Sequence, residues 1–401
     1  MKTVNSAHDA TSYESNVRCQ REISDANALY DGFRRAIKGS DWKPATQRFE
    51  MNYLLELSRI QRELKEGTYQ FKPSTEFIIN ERGKTRVIHG EQVQDRVVKH
   101  ALCDEVLNPA TNPYLIFDNG ASQVGKGISF TRRRLIYHLR SYYQTHGSNE
   151  GYILLIDFKK YYDNIRHDVL MELFGKYVND PTAMWLLAGT IRKSEVDVSY
   201  MSDEEYDLCM YSVFNSLEYE KIPKRLRTGE KFMKKHLNIG DQVAQTAGIA
   251  YPIAIDNYVK IVRGVKFYAR YMDDSYAIHE SREFLRNLLA HICVIANDLG
   301  ITVNMEKTRI CKLSEMWRFL QIQYSLTETG RIIQKIHPKR ITTMRRRMKK
   351  LAPRMTEKEF CDWYRAWYQN YKKVMSRAQK HQMNSLMNQL KEVTIKCTVS
   401  S

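Results

Sequence analysis

The chain has 401 residues, of which 43% are hydrophobic and 11% aromatic, so it can bury a sizeable core divided between two or three subdomains. Its 63 Lys and Arg residues exceed its 46 Asp and Glu residues and give a formal charge of +17, which favours a polyanionic partner such as nucleic acid. No run reaches the ~18 to 20 apolar residues of a membrane-spanning helix, and the N-terminus lacks a signal-peptide core, so we expect a cytoplasmic protein. The seven cysteines include no CxxC pair, which argues against structural zinc.

The N-terminal part of the chain changes from polar to periodic. Residues 1–40 are predicted to be an extension, of which the first 27 or so are polar without clear periodicity. Apolar residues then recur at three- and four-residue spacing between residues 28 and 65, which predicts an amphipathic helical pattern. Its members include Met51, Leu54, Leu55, Leu57 and Ile60. Residues 77–90 alternate around Gly83 and predict a β-hairpin, and residues 93–107 predict another helix.

The middle of the chain contains two strand patterns that carry aspartates. The short apolar run 152–158 predicts a buried strand that ends on Asp157. Residues 265–280 predict a strand, a tight turn and a second strand, with Asp273 and Asp274 at the turn. A helix that ends at Gly300 follows. Between the two patterns, residues from about 176 to 237 mix helical patterns with a basic stretch, which we interpret as an insertion that faces nucleic acid.

After Gly330 the composition changes to a densely basic segment, 333–354, followed by a segment in which aromatics alternate with cations. This composition predicts a separate helical subdomain. Five aromatic residues recur there at helical spacing, which predicts that most of them are core rather than a base-stacking surface. They are Trp363, Tyr364, Trp367, Tyr368 and Tyr371.

The three aspartates suit a pair of magnesium ions. Magnesium is a hard cation that prefers oxygen ligands in near-octahedral geometry, and a strand end and a hairpin turn are rigid supports for carboxylates. An adjacent pair of aspartates in a turn is, on its own, explained by turn geometry. The assignment therefore depends on the surrounding motifs.

Those motifs resemble the reverse transcriptases. The segment RYMDDSYAI, 270–278, resembles the YxDD signature of that family, and LIDFKKYYDNI, 155–165, resembles its preceding palm motif. With further motifs in the same order, the resemblance extends from about residue 45 to residue 340. It implies an α+β right-hand polymerase fold with an antiparallel palm sheet backed by helices. The implied domains are fingers at 41–150, a palm at 151–330 that contains the insertion, and a basic helical thumb at 331–401.

The resemblance also implies roles for individual residues. The catalytic residues would be Asp157, Asp273, Asp274 and Lys307; the metal-binding residues Asp157, Phe158, Asp273 and Asp274; the nucleotide-binding residues Lys84, Arg86, Arg96, Phe158, Tyr162 and Gln245; and the template or primer contacts Gly240, Met272, Asn304, Arg345 and Arg346. Tyr162 occupies the position of a gate that excludes a ribose 2′-hydroxyl, although a core aromatic beside Tyr161 is the alternative. Lys307 would donate a proton to the leaving pyrophosphate, with Asn304 in support.

Two positions depart from the family pattern. Ala244 stands where serine is usual in the enzymes of diversity-generating retroelements, four residues after Gly240 and next to Gln245. Gln321 replaces the glycine of the FLG motif at the start of the primer grip. The subfamily therefore stays open among prokaryotic enzymes of diversity-generating retroelements, retrons and antiphage defence systems.

The expected activity is RNA-directed DNA synthesis with two Mg²⁺ ions, which Mn²⁺ can replace. The expected partners are a structured non-coding RNA template, a DNA primer or product and dNTPs; an accessory protein or a homo-oligomer is left open. Untemplated or protein-primed synthesis and an inactive RNA-binding scaffold are alternatives. RNA-dependent RNA synthesis is disfavoured, because viral RNA polymerases usually carry GDD and a smaller residue at the position of Tyr162.

Overall fold

The computed structural model describes residues 21–81, 84–219 and 221–395. The helices are α1 Ala26–Ile37, α2 Pro44–Met51, α3 Tyr53–Lys65, α4 Val93–Leu102, α5 Asn108–Thr111, α6 Ile128–His146, α7 His167–Gly175, α8 Pro181–Arg192, α9 Asp203–Tyr211, α10 Ser216–Tyr219, α11 Gln242–Ala250, α12 Ile253–Asn257, α13 Arg282–Asp298, α14 Pro338–Leu351, α15 Glu357–Tyr371 and α16 Arg377–Lys391. The strands are β1 Thr75–Glu81, β2 Lys84–Gly90, β3 Tyr152–Ile156, β4 Val196–Asp197, β5 Phe232–Met233, β6 Phe267–Tyr271, β7 Asp274–His279, β8 Arg309–Lys312, β9 Trp317–Phe319, β10 Ile322–Leu326 and β11 Ile332–Ile336.

The chain forms two compact units. Unit 1 comprises Met1–Pro113, Phe174–Lys193 and Gly240–Val243, and unit 2 comprises Tyr114–Leu173, Ser194–Ile239 and Ala244–Ser401. Within the described ranges, no helix is both long and apolar enough to span a membrane. The cysteines described are free thiols, as the sequence predicts.

Unit 1 is a helical body with one antiparallel hairpin. Helix α1 packs closely on α4, because Gly32 has no side chain and a Cβ there would lie 2.6 Å from the Val97 carbonyl oxygen. The predicted hairpin is confirmed as β1 paired with β2, although its Gly83 turn lies outside the described residues. Part of the predicted N-terminal extension belongs to this packing: Arg21 forms ion pairs with Asp31 and Glu105.

The amphipathic pattern of residues 28–65 forms three helices, and three of the five apolar residues singled out there are not in the core. Leu57 and Ile60 are buried on α3, as expected. Met51, Leu54 and Leu55 also lie in helices, but they are 82%, 66% and 74% exposed. Helix α3 therefore has apolar side chains on two faces, and only one of them packs against the rest of unit 1.

Unit 2 is built on a four-stranded antiparallel sheet in the order β6-β7-β3-β8. The predicted buried strand is β3, and the predicted strand–turn–strand is β6 and β7. Leu135 and Leu139 of α6 pack with Ile153 and Tyr276 of the sheet in one buried cluster. Helix α13, which the sequence predicted to end at Gly300, packs against β7 and β3.

The C-terminal helices share that core. Sheet β9-β10-β11 and helices α14–α16 contribute to the same buried cluster as the palm-type sheet. Tyr364 and Tyr371 are buried in it, and Trp363, Trp367 and Tyr368 pack against it. The interpretation of this aromatic set as core is confirmed.

The interpretation of the insertion as a basic face requires correction for three of its lysines. Residues 194–239 contain the short pair β4–β5 and a small core of their own. Lys231 pairs with Asp203, Lys234 pairs with Glu195, and buried Lys235 donates to two backbone carbonyls. These ammonium groups are satisfied inside the insertion, because its own carboxylates and helix-end carbonyls lie within reach.

Candidate active site

Three carboxylates lie at the same end of adjacent strands in unit 2. In the β3–β7 pair, Ile156 is opposite Ser275, so Asp157, the next residue, lies beside Asp274 at the end of the ladder. In the β6–β7 pair, Tyr271 is opposite Asp274, and Met272 and Asp273 form the turn. Met272 has a φ of +55°, a left-handed conformation that closes this tight turn. The sheet register thus brings together the three aspartates that the sequence singled out.

Asp157 is held by the chain segment that follows α13. The Asn304 backbone amide donates to the Asp157 carbonyl at 2.7 Å, and the Asn304 side-chain amide donates to Oδ2 at 3.0 Å. Lys307 Nζ lies 2.9 Å from the same Oδ2, with the lysine side chain 52% exposed. Asn304 is itself buried, so the structure places it as a support for Asp157. Lys307 lies where an exposed ammonium group neutralises this carboxylate.

The donor set at this strand end suits magnesium. Carboxylate oxygens of Asp157, Asp273 and Asp274, with the adjacent Phe158 carbonyl, are the hard ligands that this ion prefers. Among the residues described, no group of three or more His, Cys, Asp or Glu side chains is arranged so that it could hold a metal ion by itself. Sites for catalytic magnesium use few protein carboxylates and complete the coordination with substrate phosphates and water.

Tyr162 lies against both the turn and α11. Its hydroxyl is 3.7 Å from Met272 Sδ, and a Cβ on Gly248 would lie 2.6 Å from the same hydroxyl. The neighbouring Tyr161 is buried and donates to the Gly248 carbonyl at 2.8 Å. Of the two tyrosines, Tyr161 is the core residue, and Tyr162 is the partly exposed one beside the aspartates. Gly248 is a residue that the sequence reading missed, and its signal was a glycine inside a helical pattern.

Gln245 is the exposed residue of an otherwise largely buried helix. On α11 the neighbouring residues Ala244 and Thr246 are buried, whereas Gln245 is exposed. Its Oε1 lies 3.5 Å from the Ser122 hydroxyl. An amide at such a position can donate and accept hydrogen bonds without demanding one base sequence.

The other nucleotide-binding candidates lie in unit 1. Arg86 is partly buried on β2, opposite Ile79, and the side chain of Lys84 lies outside the described residues. Arg96 on α4 donates to the Ser40 hydroxyl at 3.1 Å, and burial lowers the pKa of its guanidinium. Gly240 has a φ of +122°, which favours glycine.

A buried charge cluster fixes the loop that contains Gly240. Lys99 is 1% exposed and pairs with Asp241 at 2.8 Å and with Glu91. Burial raises the pKa of Glu91 above its ordinary value, although the nearby Lys99 acts in the opposite direction. This cluster was missed in the sequence, because Lys99 and Asp241 are 142 residues apart.

The thumb candidates lie on the exposed face of α14. Arg345 and Arg346 are exposed, whereas Met344 and Met348 face the core. Exposed cations on one face of a helix are suited to phosphate contacts.

Arg270 is a second buried charge that sequence reasoning missed. It precedes the aspartates on β6, is 1% exposed and pairs with Asp256 at 2.7 Å. Its guanidinium also donates to the Met272 carbonyl at 3.1 Å and to the Ile249 carbonyl of α11 at 2.7 Å. The available signal was an arginine inside a run of strand residues that are otherwise apolar or aromatic.

Residues 72–324 match the family model described as "Reverse transcriptase (RNA-dependent DNA polymerase)". The chain belongs to this family. It therefore has the α+β right-hand polymerase fold and is a nucleotidyltransferase. The match contains the three aspartates, Tyr162 and Gln245.

A curated relative from Saccharomyces cerevisiae, the "Putative COX1/OXI3 intron 1 protein", is 23% identical to the chain over 315 residues. The alignment covers 70% of this chain and 36% of the yeast protein. The chain thus spans about a third of the length of that relative.

Proposed function

We propose that the chain extends a DNA primer on an RNA template, with Asp157, Asp273 and Asp274 as its metal-binding carboxylates. The observation that carries the proposal is the sheet register, which puts these residues at one strand end in a chain of the reverse transcriptase family. Two bound magnesium ions would supply activation of the primer 3′-hydroxyl and neutralise charge on the departing pyrophosphate. The Phe158 carbonyl, beside Asp157, would complete the protein ligands.

The other residues position the substrates. Tyr162 would exclude a ribose 2′-hydroxyl, because its ring lies against Met272 at the turn and against Gly248. Lys307 would give its proton to pyrophosphate, a role that suits its exposed ammonium beside Asp157. Gln245 would contact the template or the incoming nucleotide from the exposed side of α11.

Lys84, Arg86 and Arg96 would bind the triphosphate, with Gly240 close to the template. Met272 would contact the primer terminus, and Asn304 would orient Asp157 rather than touch nucleic acid. Arg345 and Arg346 would follow the duplex backbone by phosphate contacts.

The test is extension of a labelled DNA primer on an RNA template with each dNTP. We expect Asp157→Asn and Asp273→Asn to lower the rate at least about a hundredfold, because metal ligation contributes several kcal/mol to the transition state. The matched control is Asp168→Asn, a change to an exposed carboxylate that pairs with Arg166. Full activity in both active-site variants would contradict the proposal.

The biological setting is a further part of the proposal. We infer that the chain copies a dedicated non-coding RNA in a diversity-generating retroelement or an antiphage defence system of a prokaryote. The yeast relative is named for an intron, which supports a retroelement setting more directly than a defence setting. Sequencing of the RNA and DNA that co-purify with the protein would identify template, priming site and product together.

The same experiment separates the alternatives. Products that match no co-purified RNA would indicate untemplated synthesis, and a product attached to a Ser or Tyr would indicate protein priming. RNA binding without any nucleotide addition would indicate a scaffold. A preference for rNTPs would indicate RNA synthesis.

A further inference from the structure

Unit 1 contains an open cleft of about 590 Å³ that is separate from the residues assigned to polymerisation. Its walls are residues 67–71, which follow α3, and the C-terminal half of α8. Two glycines contribute no side chain to these walls. Gly67 ends its helix with a φ of +68°, and a Cβ on Gly189 would lie 2.9 Å from the Phe71 ring. The volume is within the range of small-ligand sites.

One face of α8 gives this cleft an aromatic plane and a cation. Trp185, Gly189 and Arg192 are spaced by four and three residues, so they share a helix face. Trp185 is 38% exposed although it is the largest side chain on α8, and Arg192 is exposed. The glycine between them accommodates the Phe71 ring, so the helix face and the opposite wall lie close together beside the indole.

The opposite wall is preformed by a buried carboxylate. Asp95 is fully buried and accepts hydrogen bonds from the Tyr69 hydroxyl at 2.8 Å and from the Lys72 backbone amide at 2.9 Å. It also pairs with Lys193, at the end of α8, at 3.0 Å. Asp95 thereby ties both walls together. Tyr69 packs edge-on against Phe71, with ring centroids 5.4 Å apart.

We propose that this cleft binds one unpaired nucleotide of a single-stranded nucleic acid, with its base stacked on Trp185 and its phosphate paired with Arg192. An unpaired base exposes the π-face that a partly exposed indole can cover, whereas a base inside a duplex does not. The Gln70 side chain, exposed on the same wall, can hydrogen-bond to a base edge. The proposal goes beyond polymerisation and rests only on the nucleic-acid substrates of the family.

The test uses the full chain with the Asp273→Asn change, so that binding is measured without synthesis. The probe is a fluorescently labelled 12-nucleotide single-stranded RNA, compared with DNA of the same sequence and with a blunt RNA–DNA duplex. We expect Trp185→Ala and Arg192→Gln each to weaken single-strand binding about tenfold, within the range for loss of one stacked base. Duplex binding stays unchanged.

The matched controls are Trp42→Ala and Arg34→Gln, which remove an exposed tryptophan and an exposed arginine elsewhere in unit 1. They should bind like the parent protein, and Trp185→Phe should retain most of the affinity because it keeps a ring. If these substitutions weaken RNA binding and DNA binding equally, the cleft recognises the face of the base and the phosphate. If only RNA binding is weakened, the cleft also contacts the ribose 2′-hydroxyl.

Equal single-strand affinity in parent, Trp185→Ala and Arg192→Gln would overturn the proposal. So would equal loss of duplex binding, which would indicate a general charge effect. If free AMP, at the same concentration as the labelled strand, displaced that strand completely, the cleft would be a mononucleotide site and the proposal would be wrong. A second measurement guards against misfolding: light-induced crosslinking of bromouridine-substituted RNA to the unmodified cleft should label the peptides that contain residues 67–71 or 185–193, and labelling only elsewhere would also overturn it.

Discussion

Arg270 forms a hydrogen bond inside the Asp273–Asp274 turn and connects it to the rest of unit 2. Its guanidinium joins three parts of unit 2: the Asp256 carboxylate, the Met272 carbonyl inside the turn, and a carbonyl near the end of α11. Burial lowers the pKa of Arg270, but its neighbours, Asp256 foremost, together raise this pKa above its ordinary value, so the group stays charged inside the core. We predict that Arg270→Met both destabilises the protein and displaces the turn.

The magnitude follows from what the substitution leaves behind. Methionine has a similar length but no charge, so Asp256, which is 1% exposed, loses its charge partner and keeps the hydrogen bond from the Tyr268 hydroxyl at 2.7 Å. Removal of one partner of such a pair costs ~3–5 kcal/mol. At about 2–4 °C per kcal/mol for domains of 150–250 residues, the melting temperature should fall by roughly 6–20 °C. Thermal unfolding followed by circular dichroism measures this directly.

Two further variants separate charge from geometry. Arg270→Lys keeps the charge, but one ammonium cannot reach Asp256, Met272 and α11 together. We expect it to lose less stability than Arg270→Met, yet to lower kcat in primer extension about tenfold with little change in KM for dNTP. In the double variant Arg270→Met with Asp256→Leu, stability should largely return, because apolar replacement of a buried pair is often neutral or stabilising.

The reasoning would be refuted by either of two results. A double variant that regains both stability and kcat would show that Arg270 acts only through the stability of the fold and has no positioning role. A melting temperature of Arg270→Met within about 2 °C of the parent would contradict the stability estimate itself.

Four other predictions follow from the site and its surroundings. Tyr162→Ala should raise rNTP use relative to dNTP about ten- to a hundredfold, with Tyr162→Phe as the unchanged control, and equal selectivity would exclude the gate. Lys307→Gln should lower kcat about a hundredfold in single-turnover extension while the melting temperature stays within a degree or two, because the pair with Asp157 is exposed; an unchanged kcat would exclude proton donation. Gln321→Gly should relieve the backbone strain of a residue with a φ of +74°, but it removes the side-chain oxygen that accepts hydrogen bonds from a hydroxyl and a guanidinium group of the C-terminal helices. We therefore expect faster dissociation of the primer–template in a trap assay, and an unchanged dissociation rate would contradict this. Burial lowers the pKa of Lys235 to about 8, below its unfolded value of 10.5, so the folded state releases this proton at a lower pH than the unfolded state. The free energy of unfolding, relative to that of Lys235→Met, should therefore rise between pH 8 and pH 10. A difference between the two proteins that does not change with pH in urea unfolding would contradict this.

Local sequence patterns were sufficient to predict those strands whose apolar residues alternate or form a short continuous run. The hairpins β1–β2 and β6–β7 alternate, and the run before Asp157 is short and apolar, so their strand character is evident in the sequence. Burial was not evident where two faces of one helix are apolar. Spacing assigns residues to faces, but which face of α3 packs depends on α1 and α4, which no pattern within α3 encodes.

The candidate site divides in the same way. Asp157 and the Asp273–Asp274 pair could be proposed from the sequence, because strand ends and turns are local features that a short motif records. Their supports were only partly evident. The family resemblance gave Asn304 as a supporting residue, but its hydrogen bond to Asp157 spans 147 residues and no local pattern indicates it. The buried pair of Lys99 and Asp241, which spans 142 residues, was not found in the sequence.

A general physical clue to such supports exists nonetheless. A charged side chain inside a run of buried strand or helix residues costs free energy unless a partner lies nearby in the fold. Arg270, in the strand FYARY, and Lys99, on the buried side of α4, both satisfy that description, and each is paired with an aspartate. One member of each ion pair lies next to a candidate site residue: Asp241 follows Gly240, and Arg270 precedes the turn that contains Asp273 and Asp274. In this chain, buried charge in an apolar pattern therefore indicates two places where a loop or turn beside a candidate site residue is held by an ion pair.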